Sequence, residues 1–239
     1  MDSRMNSSLR LLITIVDRGK GQQAADLLKR RGSLMHTIML GHGTARQELL
    51  DYLGLGETEK DVVFSTLATE VSTLALYKLN HEMRLDMPGG GIAFTIPITS
   101  VGGSTSLQYL KGEPKQSSTP IKEAIDMEQG YELIITIVNR GFTDQVMEAA
   151  EKAGARGGTV VHARGASQAE AAKFFGITIQ PEKEVVLILT QQEQRKAIMQ
   201  AIVKGVGMTS EGQGISFSLP VDEVVGVARL MREDEAEEE

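Results

Sequence analysis

An internal repeat constrains this chain more than any other feature of its sequence. The nine residues LLITIVDRG at 11–19 return 122 positions later as LIITIVNRG at 133–141, and seven of the nine are identical. Further matches follow in the same order but 123 positions apart, namely EKDVVF at 59–64 with EKEVVL at 182–187, and GIAFTIPI at 91–98 with GISFSLPV at 214–221. Collinear matches over so long a stretch indicate a tandem duplication.

The repeat predicts how the 239 residues divide into domains. We expect a first, diverged domain over 9–103, a linker over 104–129, a second domain over 130–230 and an acidic disordered tail over 231–239. The linker contains KGEPKQSSTP, whose Gly, Ser and Pro content favours a flexible connection. Six acidic residues lie at 233–239 in a chain with net charge −7, so the residues before 233 sum to −1. A nearly neutral body lacks the basic surface that general nucleic-acid binding requires.

Composition excludes several other classes of protein. Hydrophobic residues make up 41% and charged residues 24%, as in globular domains. The sequence contains no run of about 18 apolar residues, the length that a membrane span needs, and its amino terminus does not have the pattern of a secretory leader. We therefore expect a cytoplasmic protein. The absence of Cys excludes disulfides, thiolate nucleophiles and Cys-ligated metal centres.

Each copy has the same predicted order of elements, βαββαβ. In the first copy the predicted elements are a strand at 11–16, a helix at 22–32, strands at 37–40 and 62–67, a helix at 70–83 and a strand ending at Pro97. In the second copy they are 133–138, 143–154, 159–163, 185–190, 191–205 and a strand ending at Pro220. This order predicts an α+β fold of two tandem ferredoxin-like domains. Two helices cover only one face of such a sheet, so we expect oligomerisation to cover the other.

Local signals predict the turns and caps. In the turn after the first strand, we expect the side chains of Asp17 and Asn139 to bond forward to backbone amides. In the same turns we expect positive φ at Gly19 and Gly141. Gly32 and Gly154 are expected to close the first helix of each copy. Thr143 or Asp144 is the expected N-cap of the second copy's first helix. A polar segment of about 20 residues, with a helix-like piece at 45–54 or 167–176, follows the second strand, and loops of this length are usually functional.

Two glycine-rich stretches of the second copy are the candidate ligand site. Paired glycines let a ligand approach the backbone, an arginine can clamp phosphate or carboxylate, and a glycine turn can present amides to an anion. The candidate residues are Gly157, Gly158, Arg164, Gly165, Gly212 and Gly214. The pattern contains no catalytic constellation, and the four histidines have no metal-ligand spacing, so we expect neither an enzyme nor a metal site.

The stretches GARGGTVVHARG, EKEVVLIL and GQGISFSLPVD together resemble the PII-type nitrogen regulatory proteins, and specifically a PII-like subgroup. The resemblance covers most of both repeats and is strongest over 131–226. It implies trimers that bind effectors, often adenine nucleotides with 2-oxoglutarate, in clefts between domains, and a T-loop that contacts a target protein. The T-loops would be about 41–60 and 163–183, and the B-loops about 88–92 and 211–215. Ile215 stands where the nitrogen regulators proper have a phosphate-facing Lys.

We therefore expect a signal-transduction protein that binds a small effector, an adenine nucleotide or an anionic metabolite, and regulates a target protein in the manner of nitrogen regulation. No cofactor is certain. The alternatives are a scaffold or adaptor that does not sense metabolites, and a CutA-like metal-responsive protein. A homotrimer with six domains is the expected assembly, and a monomer whose two copies cover each other's sheets is the competing arrangement.

Overall fold

The chain divides into two compact units. A computed structural model describes residues 8–44, 58–87, 89–101, 104–111, 130–164, 172–174, 177–179 and 182–227. Unit 1 comprises Met1–Met39, Lys60–Tyr131 and Pro220–Glu239, and unit 2 comprises Leu40–Glu59 and Glu132–Leu219. The acidic tail, most of the linker and Gly165 lie outside the described residues. The repeat boundaries at 9–103 and 130–230 stay a prediction about ancestry, separate from this division into units.

Unit 1 is an antiparallel sheet with helices. Its elements in chain order are β1 (Leu9–Asp17), α1 (Gly21–Arg30), the first half of β2 (His36–Gly43), β3 (Thr58–Ala68), α2 (Thr69–Met83), β4 (Ile92–Ile98), α3 (Ser104–Lys111) and β11 (Glu223–Val225). β1 lies centrally, paired with β3 on one side and β4 on the other, and β11 adds to the far side of β4. The strand order is β2-β3-β1-β4-β11.

Unit 2 repeats this plan. Its elements are β5 (Tyr131–Asn139), α4 (Thr143–Lys152), β6 (Thr159–Arg164), β7 (Ala172–Phe174), β8 (Ile177–Ile179), β9 (Glu182–Gln191), α5 (Gln192–Val206) and β10 (Ile215–Pro220). The strand order is β10-β5-β9-β6, and residues 41–43 of β2 pair with 159–161 of β6. The short strands β7 and β8 form a separate two-stranded sheet. The four main strands of each copy lie in the order fourth, first, third, second, which confirms the predicted ferredoxin-like α+β fold.

Each core lies between the sheet and its helices. In unit 1, alternate residues of the central strands, such as Leu12 and Val63, pack against Leu28 of α1 and Leu76 of α2. The corresponding cluster of unit 2 comprises Ile134, Val138, Val186 and Ile188 from the strands and Val146, Ile198 and Ile202 from the helices. Each of these fully buried side chains stabilises the fold by about 1.5–3 kcal/mol relative to exposure.

The ends of the first helices follow the prediction. Gly32 and Gly154 both have φ of +99°, and each follows a helix whose last carbonyls accept the amides of the next residues. Gly19 and Gly141, in the turns before the helices, have φ of +88° and +90°. These values confirm the expected positive φ at Gly19 and Gly141, and Gly32 and Gly154 close the first helices as predicted.

Three local predictions are wrong. α4 begins at Thr143, but its N-cap is Phe142 and no side chain caps it, so neither Thr143 nor Asp144 has that role. The piece at 167–176 was expected to be helix-like, yet 172–174 forms a strand paired with 177–179. The linker also contains α3 at 104–111, which its Ser and Gly content did not suggest.

Candidate functional site

The long segment of unit 2 begins and ends at one end of the sheet. β6 ends at Arg164 and β9 begins at Glu182, and these two residues are direct partners in the antiparallel ladder. Segment 165–181 therefore leaves and re-enters the sheet at neighbouring positions. This sheet end, with the turn that follows β5, is the candidate functional site, and we call it the loop root.

The turn after β5 is held by polar contacts to both neighbouring strands. The Asn139 side chain accepts a hydrogen bond from Lys183 Nζ at 2.8 Å and donates one to the Glu211 carbonyl at 2.8 Å. The Asn139 amide also donates to the Gly212 carbonyl at 2.9 Å. The turn at 211–214 is thereby fixed against the same sheet end as Lys183.

An exposed ion pair lies beside this turn. The Arg140 guanidinium donates to the Glu182 carboxylate, and the Arg140 amide donates to the Glu182 carbonyl at 3.2 Å. The hydrogen bond and the charge of Glu182 raise the pKa of Arg140. Both side chains are more than 60% exposed, so an anion from solvent can compete for the arginine.

A buried carboxylate connects β9 to the start of α4. Glu184 is 5% exposed, and its Oε2 accepts the Gly141 amide at 3.0 Å. Its other oxygen lies 3.4 Å from Nδ1 of His162, the residue opposite it on β6. Glu184 therefore links β9, the strand that follows the long segment, to the turn that precedes α4.

Unit 1 contains the same arrangement at the equivalent positions. Asp61, which is 5% exposed, accepts the amides of Gly19 and Gly21 at 2.9 and 3.0 Å through one oxygen. Lys60 donates to Asp17 at 2.7 Å, as Lys183 does to Asn139. A lysine followed by an acid at the start of the third strand thus fixes the turn in both units.

These contacts correct the prediction for the two turns. Asp17 and Asn139 were expected to bond forward to turn amides, but their side chains instead receive the lysines of the third strand. The turn amides go to Asp61 and Glu184, which are distant in the sequence. The repeated pair EKD and EKE at 59–61 and 182–184 was the signal that could have revealed them.

The carboxyl group of Asp17 responds to these surroundings. Burial alone would raise its pKa, but hydrogen bonds from Lys60 and Lys20, and the charges of both lysines, outweigh that effect. The pKa of Asp17 therefore lies below its ordinary value of 3.8. The turn of unit 1 contains an acid-sensitive contact that the neutral Asn139 of unit 2 cannot have.

The predicted residues Gly157 and Gly158 lie at the opposite end of β6. Gly158 exchanges hydrogen bonds with Thr44: its amide donates to the Thr44 hydroxyl at 2.8 Å, and its carbonyl accepts the Thr44 amide at 2.9 Å. A Cβ on Gly158 would lie 3.0 Å from the Met147 sulfur, so close packing also favours glycine there. The group that approaches this glycine is Thr44.

The predicted glycine turn is compact and largely satisfied by its own backbone. The Gly214 amide donates to the Val206 carbonyl at 2.7 Å, and a Cβ on Gly214 would lie only 2.2 Å from that oxygen. A Cβ on Gly212 would lie 3.1 Å from the Phe142 ring. Close approach explains both glycines, while Gln213 between them adopts a φ of +46°.

The structure thus separates the predicted site into two places. Arg164 and the 212–214 turn lie at the loop root, with β5 and β9 between their strands. Gly157 and Gly158 lie about 20 Å from Arg164 along β6. As ligand contacts all of them stay a prediction, and Gly165 lies outside the described residues.

The charges of the loop root suit an anion. Arg164 is exposed at the end of β6, and Arg140 and Lys183 lie on the neighbouring elements, against the exposed carboxylates of Glu182 and Glu211. Guanidinium groups bind carboxylate and phosphate through paired hydrogen bonds. Among the described residues, no group of three or more His, Cys, Asp or Glu is arranged to hold a metal ion.

The strand order defines a chain with two ferredoxin-like sheets, and a comparison with known protein families finds a match in the second. The family model for nitrogen regulatory protein P-II matches residues 131–231. This match confirms the resemblance to the PII-type proteins for the second copy. None of the curated proteins compared with the chain matches it.

A crystal structure of Arabidopsis thaliana PII bound to citrate is among the similar solved structures. It is 26% identical over 40% of this chain and 78% of the plant chain, with a TM-score of 0.30. The fold assignment rests on the strand order above. No helix in the described part of the chain is long and apolar enough to cross a membrane.

Proposed function

We propose that this protein is a PII-like signalling regulator whose second domain binds a small anionic effector at the loop root. Binding changes the conformation of segment 163–183, and that segment then contacts a target protein. The observation that carries the proposal is the position of Arg164, directly opposite Glu182 where the long segment leaves the sheet. The PII-like family assignment of 131–231 supports the regulatory role.

The contacts of the loop root suggest how an anion would act on the segment. Glu182 is the first residue after the segment, and it is held by Arg140. An anion that recruits Arg140 and Arg164 competes with Glu182 for the guanidinium groups. A ligand that prefers one arrangement of these side chains shifts the population of the segment by that difference in affinity.

The effector class follows from the same residues. Two guanidinium groups favour a ligand with two or more negative oxygens, such as an adenine nucleotide or a dicarboxylate. Ile215 supplies no charge beside the glycine turn, so phosphate recognition there has only backbone amides to use. Catalysis is not part of the proposal, because a regulator needs only differential binding.

Calorimetric titration tests the proposal with ATP, ADP, 2-oxoglutarate and citrate, one at a time. We expect at least one of them to bind, and Arg164→Ala to weaken it by about 1.5–3 kcal/mol, or about tenfold to more than a hundredfold. Arg156→Ala is the matched control, because Arg156 precedes β6 at its other end and should leave affinity unchanged. Equal affinity in all three proteins would contradict the role of the loop root.

A second candidate function is a scaffold that binds a partner without sensing a metabolite. It is favoured by the internal hydrogen bonds of the predicted cradle, since Thr44 occupies the amide of Gly158 and Val206 that of Gly214. Partner capture on immobilised protein separates the two candidates. A scaffold retains its partner equally with and without the effector panel, whereas a sensor does not.

A further inference from the structure

Two histidines from different parts of the chain meet on neighbouring strands of unit 2. His42 lies in β2 and His162 in β6, and their ring centroids are 5.4 Å apart with the ring planes inclined at 44°. The ladder pairs His42 with Val160, so His162 is the diagonal neighbour on the same face of the sheet. The sequence could not indicate this pair, because 119 residues separate its members.

One of the two rings is oriented by a buried carboxylate. Glu184 lies opposite His162 on β9, and its Oε1 is 3.4 Å from His162 Nδ1. The same side chain is fixed from the other side by the Gly141 amide. A carboxylate at Nδ1 favours the tautomer that carries the proton there, which leaves the lone pair of Nε2 available to a metal ion.

The separation of the rings matches that of two imidazoles on one metal ion. A metal about 2.0–2.1 Å from a ring nitrogen lies about 3.2 Å from the ring centroid, so two rings at a tetrahedral angle have centroids about 5.2 Å apart. The observed 5.4 Å is close to this value. We propose that His42 and His162 form a two-histidine site for a divalent transition-metal ion, with Glu184 as a positioning residue.

The surrounding residues define the type of site. The described residues contain no three-ligand cluster of His, Asp or Glu, so water or an added ligand completes the coordination. Imidazole ligands favour Cu²⁺ over Zn²⁺ and disfavour Mg²⁺ and Ca²⁺, which prefer oxygen. Arg164 lies two residues beyond His162 on the same face, and its charge opposes a cation. We therefore expect exchangeable binding of moderate affinity.

The position of the site gives it a specific consequence. His42 lies one residue before the end of β2, and His162 lies two residues before the end of β6. A metal ion bound to both side chains would cross-link the strands from which the two long segments leave the sheet. The close approach of these strands requires Gly41, whose Cβ would lie 2.7 Å from the Val160 carbonyl. This inference does not depend on the anionic effector.

Equilibrium dialysis of the full chain against Zn²⁺ and Cu²⁺ tests the site. We expect one ion per chain, at least tenfold weaker binding in His42→Gln and in His162→Gln, and unchanged binding in His81→Gln, a control on α2 of unit 1. Electron paramagnetic resonance of the Cu²⁺ complex should show coupling to two imidazole nitrogens in the unsubstituted protein and fewer in His42→Gln or His162→Gln.

The same measurements distinguish this site from other metal binding by the chain. Glutamine at these partly exposed positions keeps a polar side chain, and circular dichroism of each variant verifies the fold. Uptake that survives both substitutions would assign the metal to other groups, such as the acidic carboxyl-terminal residues, and would overturn the proposal. Absence of stoichiometric uptake by the unsubstituted protein would overturn it as well.

Discussion

Single glycines near the end of α5 differ sharply in what they tolerate. A Cβ on Gly214 would lie 2.2 Å from the Val206 carbonyl, a distance that only backbone movement can relieve. A Cβ on Gly205, which is exposed within α5, would make one ordinary contact of 3.7 Å with Ala149. The two positions therefore form a matched pair for testing the turn.

We predict that Gly205→Ala stabilises the protein and Gly214→Ala destabilises it. Alanine at Gly205, in the last turn of α5, should raise the free energy of unfolding by up to about 0.5–1 kcal/mol, because glycine loses more backbone entropy on folding. Alanine at Gly214 should lower it by more than about 1 kcal/mol, since the clash involves backbone. Urea denaturation measures both, and a tolerated Gly214→Ala would show that the turn is less tight than described.

The acid sensitivity of Asp17 gives a prediction about pH. The pKa of Asp17 is lowered in the folded state, so the contribution of Asp17 to stability is fully present above about pH 3.8, the ordinary pKa of the group. This contribution is lost as the pH falls through the pKa of Asp17 in the folded protein. Asp17→Asn, which copies the residue of unit 2 at position 139, should remove that part of the acid dependence. Unfolding midpoints measured from pH 5 to pH 2 should fall less steeply in the variant than in the unsubstituted protein, and parallel curves would contradict the assignment.

Among the secondary-structure elements, helix α1 has its amino terminus hydrogen-bonded to a carboxylate from strand β3. The first turn of α1 contains no acidic residue and no side-chain cap. Asp61 of β3 supplies the negative charge, accepts two amides at the helix start and also pairs with Arg18 at 3.3 Å. Negative charge at a helix amino terminus is favourable because of the helix dipole.

Asp61→Ala should therefore destabilise unit 1. The substitution removes the carboxylate that accepts hydrogen bonds from the Gly19 and Gly21 amides, and it should lower the free energy of unfolding by about 1–3 kcal/mol. Glu59→Ala, an exposed position two residues earlier in β3, should change stability by less than about 0.5 kcal/mol. Chemical denaturation of both variants provides the comparison, and equal stability of the two would remove Asp61 from its proposed role.

The elements that the sequence predicted are those whose pattern recurs in both copies. β1 and β5 are long apolar runs, and two diverged copies agree on them, so their central position was predictable. β11 is three residues long and has no counterpart pattern, because a strand this short carries no periodicity. α3 forms in a stretch whose Ser and Gly content favours a loop.

The candidate site was less predictable, since it depends on register. Arg164 was identified by its residue type after a strand, but its partner Glu182 is known only from the pairing of β6 with β9. The glycines at 157 and 158 indicated close approach correctly, yet the approaching group is Thr44 of the first copy. Pairing between strands of different copies cannot be inferred from the periodicity of either strand.

For the whole molecule, the exposed apolar residues of unit 2 bear on assembly. Ile215 and Phe217 of β10 are 50% and 41% exposed, and Met208 in the preceding turn is 60% exposed. In the described part of the sheet, β10 pairs only with β5, whereas its counterpart β4 also receives β11. An apolar edge strand of this kind can pair with another chain.

We predict that the protein is an oligomer, with a homotrimer as the expected state. Light scattering after gel filtration should give about three times the chain mass of 25.9 kDa. Phe217→Glu should shift the mass toward that of one chain, because it places a charge in an apolar contact. Met87→Glu, at an exposed position in unit 1, is the control, and a wild-type mass of one chain would refute the prediction.

Neither compact unit is a continuous stretch of the polypeptide. Residues 220–227 belong to the second repeat in sequence but complete unit 1, where Arg10 pairs with Asp222 at 2.6 Å and Thr73 donates a hydrogen bond to Glu223 at 2.8 Å. Residues 40–44 belong to the first repeat but lie in unit 2. A gene cut between the repeats would therefore yield two polypeptides that each lack part of their own fold. Neither repeat can therefore be removed without leaving the unit that contains the other repeat incomplete.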